Sequence, residues 1–212
     1  CGYSLNALID FEDEFEILEH LIIGSEGTLA FIEEITYYTV EDLKDKASSL
    51  IYFKDIKEAC SAVTKLKLAK EANTINVEAV ELMDRAGLKS IENDPAMPAF
   101  IKDFDENVTA LLIETRAISD AQLDIQTAQI EELLKEFSVV RDIYFTKDVA
   151  EYTLYWKIRK GLFPAVGAVR VTGTTVIIED VAYPIECLAD ATLERQDLFK
   201  KHGYSEALIF GH

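Results

Sequence analysis

The chain predicts an α+β fold, a sheet with helices on one of its faces, and three observations carry that prediction. Short β-branched and aromatic runs alternate with longer segments whose apolar residues recur at helical spacing. The strand-like runs Leu50–Phe53, Ala110–Ile113, Thr175–Glu179 and Ala207–Phe210 are separated by such helical segments. With 49% apolar residues in a chain of 212, a substantial core is within reach. Periodicity leaves the sense of the strands open.

Taken in order, Glu16–Leu21 is a helical approach to the turn Gly24-Ser25-Glu26-Gly27-Thr28, and Thr28–Tyr38 reads as a β-branched and aromatic strand. The polar stretch Glu41–Lys46 marks a boundary. Ser49–Phe53 is the next strand. Asp55 and Glu58 then form a capping-box start to a helix with Ala59, Ala62, Val63 and Leu66 on one face. Asn76–Leu82 leads as a strand into a short helix, and Asn93-Asp94-Pro95 with Pro98 is a loop. Thr109–Thr115 is a strand, and Ser119 caps a long helix with the stripe Ile130, Leu133, Leu134 and Phe137. Asp142–Phe145 returns as a strand, followed by a helix over about 149–160. Thr174–Val181 is the strongest strand pattern in the chain. Pro184 opens a last helix, with Leu188, Ala191, Leu198 and Phe199 on one face and His202-Gly203 at its end, before the strand Ala207–Phe210.

Charge and composition exclude several functions. A net charge of −18 repels polyanions, so nucleic acid is not the partner. No apolar run reaches the roughly 20 residues of a membrane helix, and Cys1-Gly2-Tyr3-Ser4 lacks the basic region of a secretory signal. Cys1, Cys60 and Cys187 share no metal-type spacing and are odd in number, so buried structural thiols in a cytoplasmic protein are expected at Cys60 and Cys187. An opening Cys1 and a strand-like run that stops at Gly211-His212 read as the ends of an excised piece.

Several stretches then coincide with one family. Gly2-Tyr3-Ser4-Leu5-Asn6, Ile23–Leu29, Asp180-Val181-Ala182-Tyr183-Pro184 and Gly211-His212 occur in that order. Together they resemble the FAD-linked oxidases of the vanillyl-alcohol oxidase type, in the branch of D-lactate, glycolate and D-2-hydroxyglutarate dehydrogenases. The run Phe163–Ala168 through Asp180 is most similar to the large bacterial FAD and iron–sulphur members. The resemblance implies that residues 1–42 are the tail of a FAD-binding domain. Residues 43–212 would be the substrate-binding cap, a ferredoxin-like α+β domain truncated at its end.

The same resemblance assigns candidate residues. Gly24, Ser25, Glu26, Gly27 and Thr28, with Tyr3 and Asn6, would approach FAD, since glycines let backbone N–H groups come close to a ligand. Arg159 matches an arginine that grips the substrate carboxylate, a task suited to a guanidinium that donates two parallel hydrogen bonds and keeps its charge when desolvated. The structural alternative is a helix-surface arginine paired with Glu151. Arg170 is a second candidate, offset by about one residue, with Lys160 as a substitute. His212 matches the first histidine of a motif that binds a divalent metal, often zinc; one imidazole does not hold a metal alone. A 4Fe-4S cluster in the longer protein is also implied, with its cysteines outside this chain. His20 and His202 are read as structural, the latter as a cation at a helix C-terminus.

The expected activity is that of a flavin-dependent dehydrogenase acting on a small D-2-hydroxy acid. Its partners are that substrate and the missing FAD-binding domain of the same chain, and it sits in the cytoplasm or peripheral to the inner membrane. This piece alone is expected to be inactive. A rival from another class is a stand-alone ferredoxin-like module for ligand binding or dimerisation, without redox chemistry.

Overall fold

The computed structural model describes residues 2–93, 97–169, 171–176, 180–204 and 207–212. The chain divides into two units, Cys1–Asp42 with Ile177–Ala182, and Leu43–Val176 with Tyr183–His212.

The first unit carries two helices, α1 (Ala7–Asp10) and α2 (Glu14–Ile22). Asp13 starts α2 by accepting the N–H groups of Phe15 and Glu16, which have no partner inside a helix. The Phe11 and His20 rings stack with centroids 3.9 Å apart. The strand expected over Thr28–Tyr38 does not form, and Phe31, Tyr37, Tyr38 and Val40 are exposed. A strand needs a neighbour for its ladder bonds, and among the described residues none pairs with this run.

The second unit begins with β1 (Asp45–Phe53), α3 (Ile56–Glu71), β2 (Ala79–Met83) and α4 (Arg85–Ile91). After a 3-10 turn at Ala99–Asp103 come β3 (Thr109–Ala117), α5 (Asp120–Leu134) and α6 (Val149–Val169). A second 3-10 turn, Ile185–Cys187, leads into α7 (Leu188–Lys201) and β4 (Phe210–Gly211). The sheet order is β1-β3-β2-β4 with every pairing antiparallel.

Residues 138–146 run along the free edge of β1, which completes a ferredoxin-like β-α-β-β-α-β arrangement. The expected strand Asp142–Phe145 is a broken edge rather than a strand. Phe53 bridges Val139 and Ser48 bridges Thr146, so five steps of β1 face seven of the segment. Two surplus residues must bulge out, and the ladder is lost between the bridges.

Both faces of the sheet are covered. Ile51, Phe53, Leu82, Leu111 and Ile113 pack with Ala59, Ala62 and Leu66 of α3, Ile130 and Leu134 of α5, and Leu188 and Phe199 of α7. Tyr52, Met83, Ala110 and Leu112 pack on the other side with Leu88 of α4, Ile101, and Ile158 and Leu162 of α6. The one-sided arrangement holds for the helices of the ferredoxin-like core, α3 and α5; α4 and α6 close the second face. Strands buried on both sides cannot alternate polar with apolar, so β1 and β3 read as near-continuous apolar runs.

Other expectations change in detail. Helix α6 continues past Lys160 to Val169, through Pro164, whose missing N–H removes one helical bond. Residues 174–176 are irregular, and the remainder of the strong strand pattern at 177–179 lies outside the described residues. Asp55 caps α3 at Glu58 N–H as expected, but the Glu58 carboxylate accepts from Ser138 N–H instead of reaching back. Cys60 is buried, whereas Cys187 is exposed because it ends a 3-10 turn before α7 begins. Leu198 is also exposed; Leu193 and Thr192 take the inner face of α7.

Candidate active site

Arg159 lies on the stripe of α6 that faces the sheet. Tyr155, Ile158 and Leu162 sit three or four residues from it or from each other and pack in the second core, so helical geometry turns Arg159 inward with them. Its Nε and Nη2 donate to one oxygen of Glu81, at 2.9 and 2.8 Å. The guanidinium carbon is 4.9 Å from the centroid of the Phe210 ring, a cation–π distance. Both charged side chains remain slightly open, 16% and 17% exposed. The pairing with Glu151 does not occur; Glu151 accepts from the Tyr155 hydroxyl instead.

Strand alternation explains the partners. Glu81 and Met83 of β2 share a face, and the register sets Leu82 opposite Gly211 and Met83 opposite Phe210. The ladder ends at Gly211, and His212 follows it directly. Arg159, Glu81, Phe210 and the chain at His212 are thus gathered by α6, β2 and β4. His212 itself is exposed, and among the described residues no group of three His, Cys, Asp or Glu side chains is placed to hold a metal.

A second carboxylate, Glu114 of β3, lies on the same face and is almost fully buried. It accepts from Trp156 Nε1 at 2.6 Å, Arg116 Nε at 2.7 Å and Ser48 Oγ at 3.3 Å. Three donors compensate the cost of taking the charge out of water.

Asp84 ties β2, α4 and β4 together. One of its oxygens accepts Gly87 N–H at the start of α4, and the other accepts Ile209 N–H at 2.9 Å. Its own N–H donates to Ile209 O. Burial pushes the Asp84 carboxyl up to about 6, against the pull of those two backbone donors.

The glycine turn belongs to the first unit. Gly24, Glu26 and Gly27 all have positive φ, at 80°, 50° and 77°. A Cβ on Gly24 would lie 2.3 Å from Gly2 O, so this glycine is required by packing against the chain. At Gly27 a Cβ would meet nothing within 4 Å, which leaves a bare, open backbone. Thr28 N–H and its hydroxyl are both spent on Ser25 O, and the Tyr3 hydroxyl is 2.8 Å from Thr28 Oγ1. Among the described residues no acceptor serves the N–H groups of Glu26 and Gly27. Two adjacent unengaged donors beside a side-chain-free position suit a flavin's oxygen and nitrogen acceptors. Asn6 is occupied locally, donating to Asp10. Ser25 is buried, Glu26 exposed.

Of the sequence candidates, Arg159 is therefore placed on a built polar surface, Lys160 is exposed to solvent, and Arg170 lies outside the described residues. Glu81 and Glu114 were not singled out by sequence. The signal was present for Glu114, a charge inside an apolar strand that must find partners when buried. Glu81 meets its arginine across 78 positions of sequence, a separation no local pattern reveals.

Residues 43–212 match the family model described as FAD linked oxidases, C-terminal domain. A probable mitochondrial D-2-hydroxyglutarate dehydrogenase of Oryza sativa subsp. japonica is 29% identical over 202 residues, 92% of this chain and 33% of that protein. A mitochondrial D-lactate dehydrogenase [cytochrome] of Arabidopsis thaliana is 28% identical over 178 residues, 82% of this chain and 28% of its own. An uncharacterized FAD-linked oxidoreductase of Mycobacterium tuberculosis is 34% identical over 124 residues, covering 58% and 26%. The chain spans about a quarter to a third of the length of these relatives.

Proposed function

Because the chain belongs to the FAD linked oxidases through their C-terminal domain, we propose that it is the substrate-binding part of a flavin-dependent dehydrogenase for a D-2-hydroxy acid. The observation that carries this reading is Arg159, a half-buried guanidinium held by Glu81 with Phe210 under its face. Glu81 takes the Nε and one Nη2 hydrogen; three of the five guanidinium donors remain for an incoming carboxylate.

FAD, when bound, supplies the hydride acceptor. The chain's own contribution is position and field. Arg159 fixes the acid group of the substrate, which sets the distance of its 2-carbon from the acceptor. The Phe210 ring beside the guanidinium lowers the water content around that ion pair and strengthens it. Gly27 and the free N–H groups of Glu26 and Gly27 would contact the flavin from residues 1–42, read as the tail of its domain. His212 would contribute one imidazole to a divalent metal such as zinc in the longer protein, with the other ligands from beyond this chain.

The test is steady-state kinetics of the full-length, FAD-loaded protein with D-2-hydroxy acids. Arg159→Gln is expected to raise KM by at least about a hundredfold, as for a lost charge-assisted pair. An unchanged KM would remove Arg159 from the site.

A further inference from the structure

Helix α6 carries Arg159, so whatever fixes α6 on the sheet also fixes where that guanidinium stands. Ile158 and Leu162 pack in the second core, but apolar contact is non-directional and sets the roll of a helix only loosely. A directional contact lies three residues before Arg159. The Trp156 indole Nε1 donates to Glu114 Oε2 at 2.6 Å. Glu114 is itself held in place. It is almost fully buried on β3, a strand paired on both sides, and accepts from Arg116 Nε at 2.7 Å and from Ser48 Oγ of β1 at 3.3 Å. A short, charge-assisted bond to a buried acceptor keeps its donor in one position.

The strand register explains why this bond bears on Arg159. Leu112 lies opposite Glu81 and Glu114 opposite Ala79, so the two carboxylates stand on one face of the sheet, two residues apart along the ladder. Residues three apart on a helix are neighbours on its surface. Trp156 and Arg159 thus reach from α6 to two carboxylates on two strands, β3 and β2. Glu81 grips the far end of a long, flexible side chain. Trp156, with only two side-chain torsions, grips the helix from which that side chain springs.

We propose that Trp156 is a positioning residue of this site: bound to buried Glu114, its indole N–H fixes the roll of α6 and with it the point from which Arg159 meets the substrate carboxylate. The proposal rests on Arg159 being that anchor, and it assigns Trp156 no contact with the substrate. Misplacing a binding group by about 1 Å costs up to about a hundredfold in rate, so loss of this bond is visible in kinetics.

The experiment uses steady-state turnover by the full-length, FAD-loaded protein with D-lactate, glycolate and D-2-hydroxyglutarate, following the acid turned over best. Trp156→Phe keeps an aromatic ring on the sheet and removes the N–H, while Glu114 keeps Arg116 and Ser48 as donors. It is expected to raise KM by at least about fivefold. In an Arg159→Gln background the same change is expected to alter kcat/KM less than about twofold, because the group it positions is gone. A merely structural Trp156 would lower the yield of folded protein and leave KM unmoved. A smaller rise in KM overturns the proposal, as does a larger loss of kcat/KM in the Arg159→Gln background.

Should Trp156→Phe fail to accumulate, Glu114→Gln tests the same bond from its other end, since an amide oxygen is a weaker acceptor than a carboxylate. A KM raised by at least about threefold supports the proposal, and a smaller change overturns it. Failure of the underlying function looks different: none of the three acids is turned over, or Arg159→Gln itself alters no KM.

Discussion

Asp84 makes the sharpest residue-level case, because its charge is both buried and used. Its carboxyl is pushed from 3.8 to about 6 in the fold by burial. An acid whose folded value is raised holds its proton more tightly folded than unfolded. Its contribution to stability is fully present below about 3.8 and is lost as pH rises through about 6. The expected result is a fall of up to about 3 kcal/mol in unfolding free energy across that window, at about 1.4 kcal/mol per pH unit. Urea denaturation followed by Trp156 fluorescence at pH 4, 5, 6 and 7 measures it. Asp84→Asn removes this slope; by presenting an amide N–H to a backbone N–H it costs about 1–3 kcal/mol at pH 4, and the cost relative to wild type shrinks as pH rises towards 7. A slope that persists in the variant would assign the titration to another group. At this scale the sequence was legible where chemistry is local. Asp55 and Ser119 were readable from spacing, and Arg159 was singled out only by resemblance to a family, whereas Glu81, Asp84 and Glu114 act on residues brought near only by the sheet.

Among the elements, helices were read more accurately than strands, and the reason is physical. A helix makes its hydrogen bonds within its own segment, so caps and periodicity announce it. Ser119 accepts Gln122 N–H ahead of α5, and Ser119→Ala is expected to lower stability by about 1 kcal/mol in a urea titration, with the core of Ile130 and Leu134 unaltered. A change below about 0.3 kcal/mol would mean that water replaces the cap. Strands depend on partners. The patterns at Thr28–Tyr38 and Asp142–Phe145 are as β-like as that of β1, yet the first has no described neighbour and the second slips by two residues against β1. Helix α6 runs beyond its expected end at about 160 to Val169, with Ile158 and Leu162 packed on the sheet ahead of Pro164.

At the scale of the whole molecule the two units differ in how they hold their backbone. In the second, β3 is paired on both sides and buried along nearly its entire length. In the first, the amides of residues 29–41 make no backbone–backbone hydrogen bond among the described residues, and large apolar side chains such as Phe31, Tyr38 and Val40 stand in solvent. Exposed apolar runs whose amides have no partner among the described residues are surfaces suited to a partner. If residues 1–42 are the tail of a flavin domain, the partner is the remainder of that domain. Native-state hydrogen exchange separates this from the stand-alone module. In the isolated 212-residue chain, β3 amides are expected to be protected at least about a thousandfold, while those of 29–41 exchange at nearly the free-peptide rate. In the full-length, FAD-loaded protein the same amides are expected to become protected. Strong protection of 29–41 already in the isolated chain, rising with its concentration, would instead mean that two copies cover each other, the behaviour of a dimerising module.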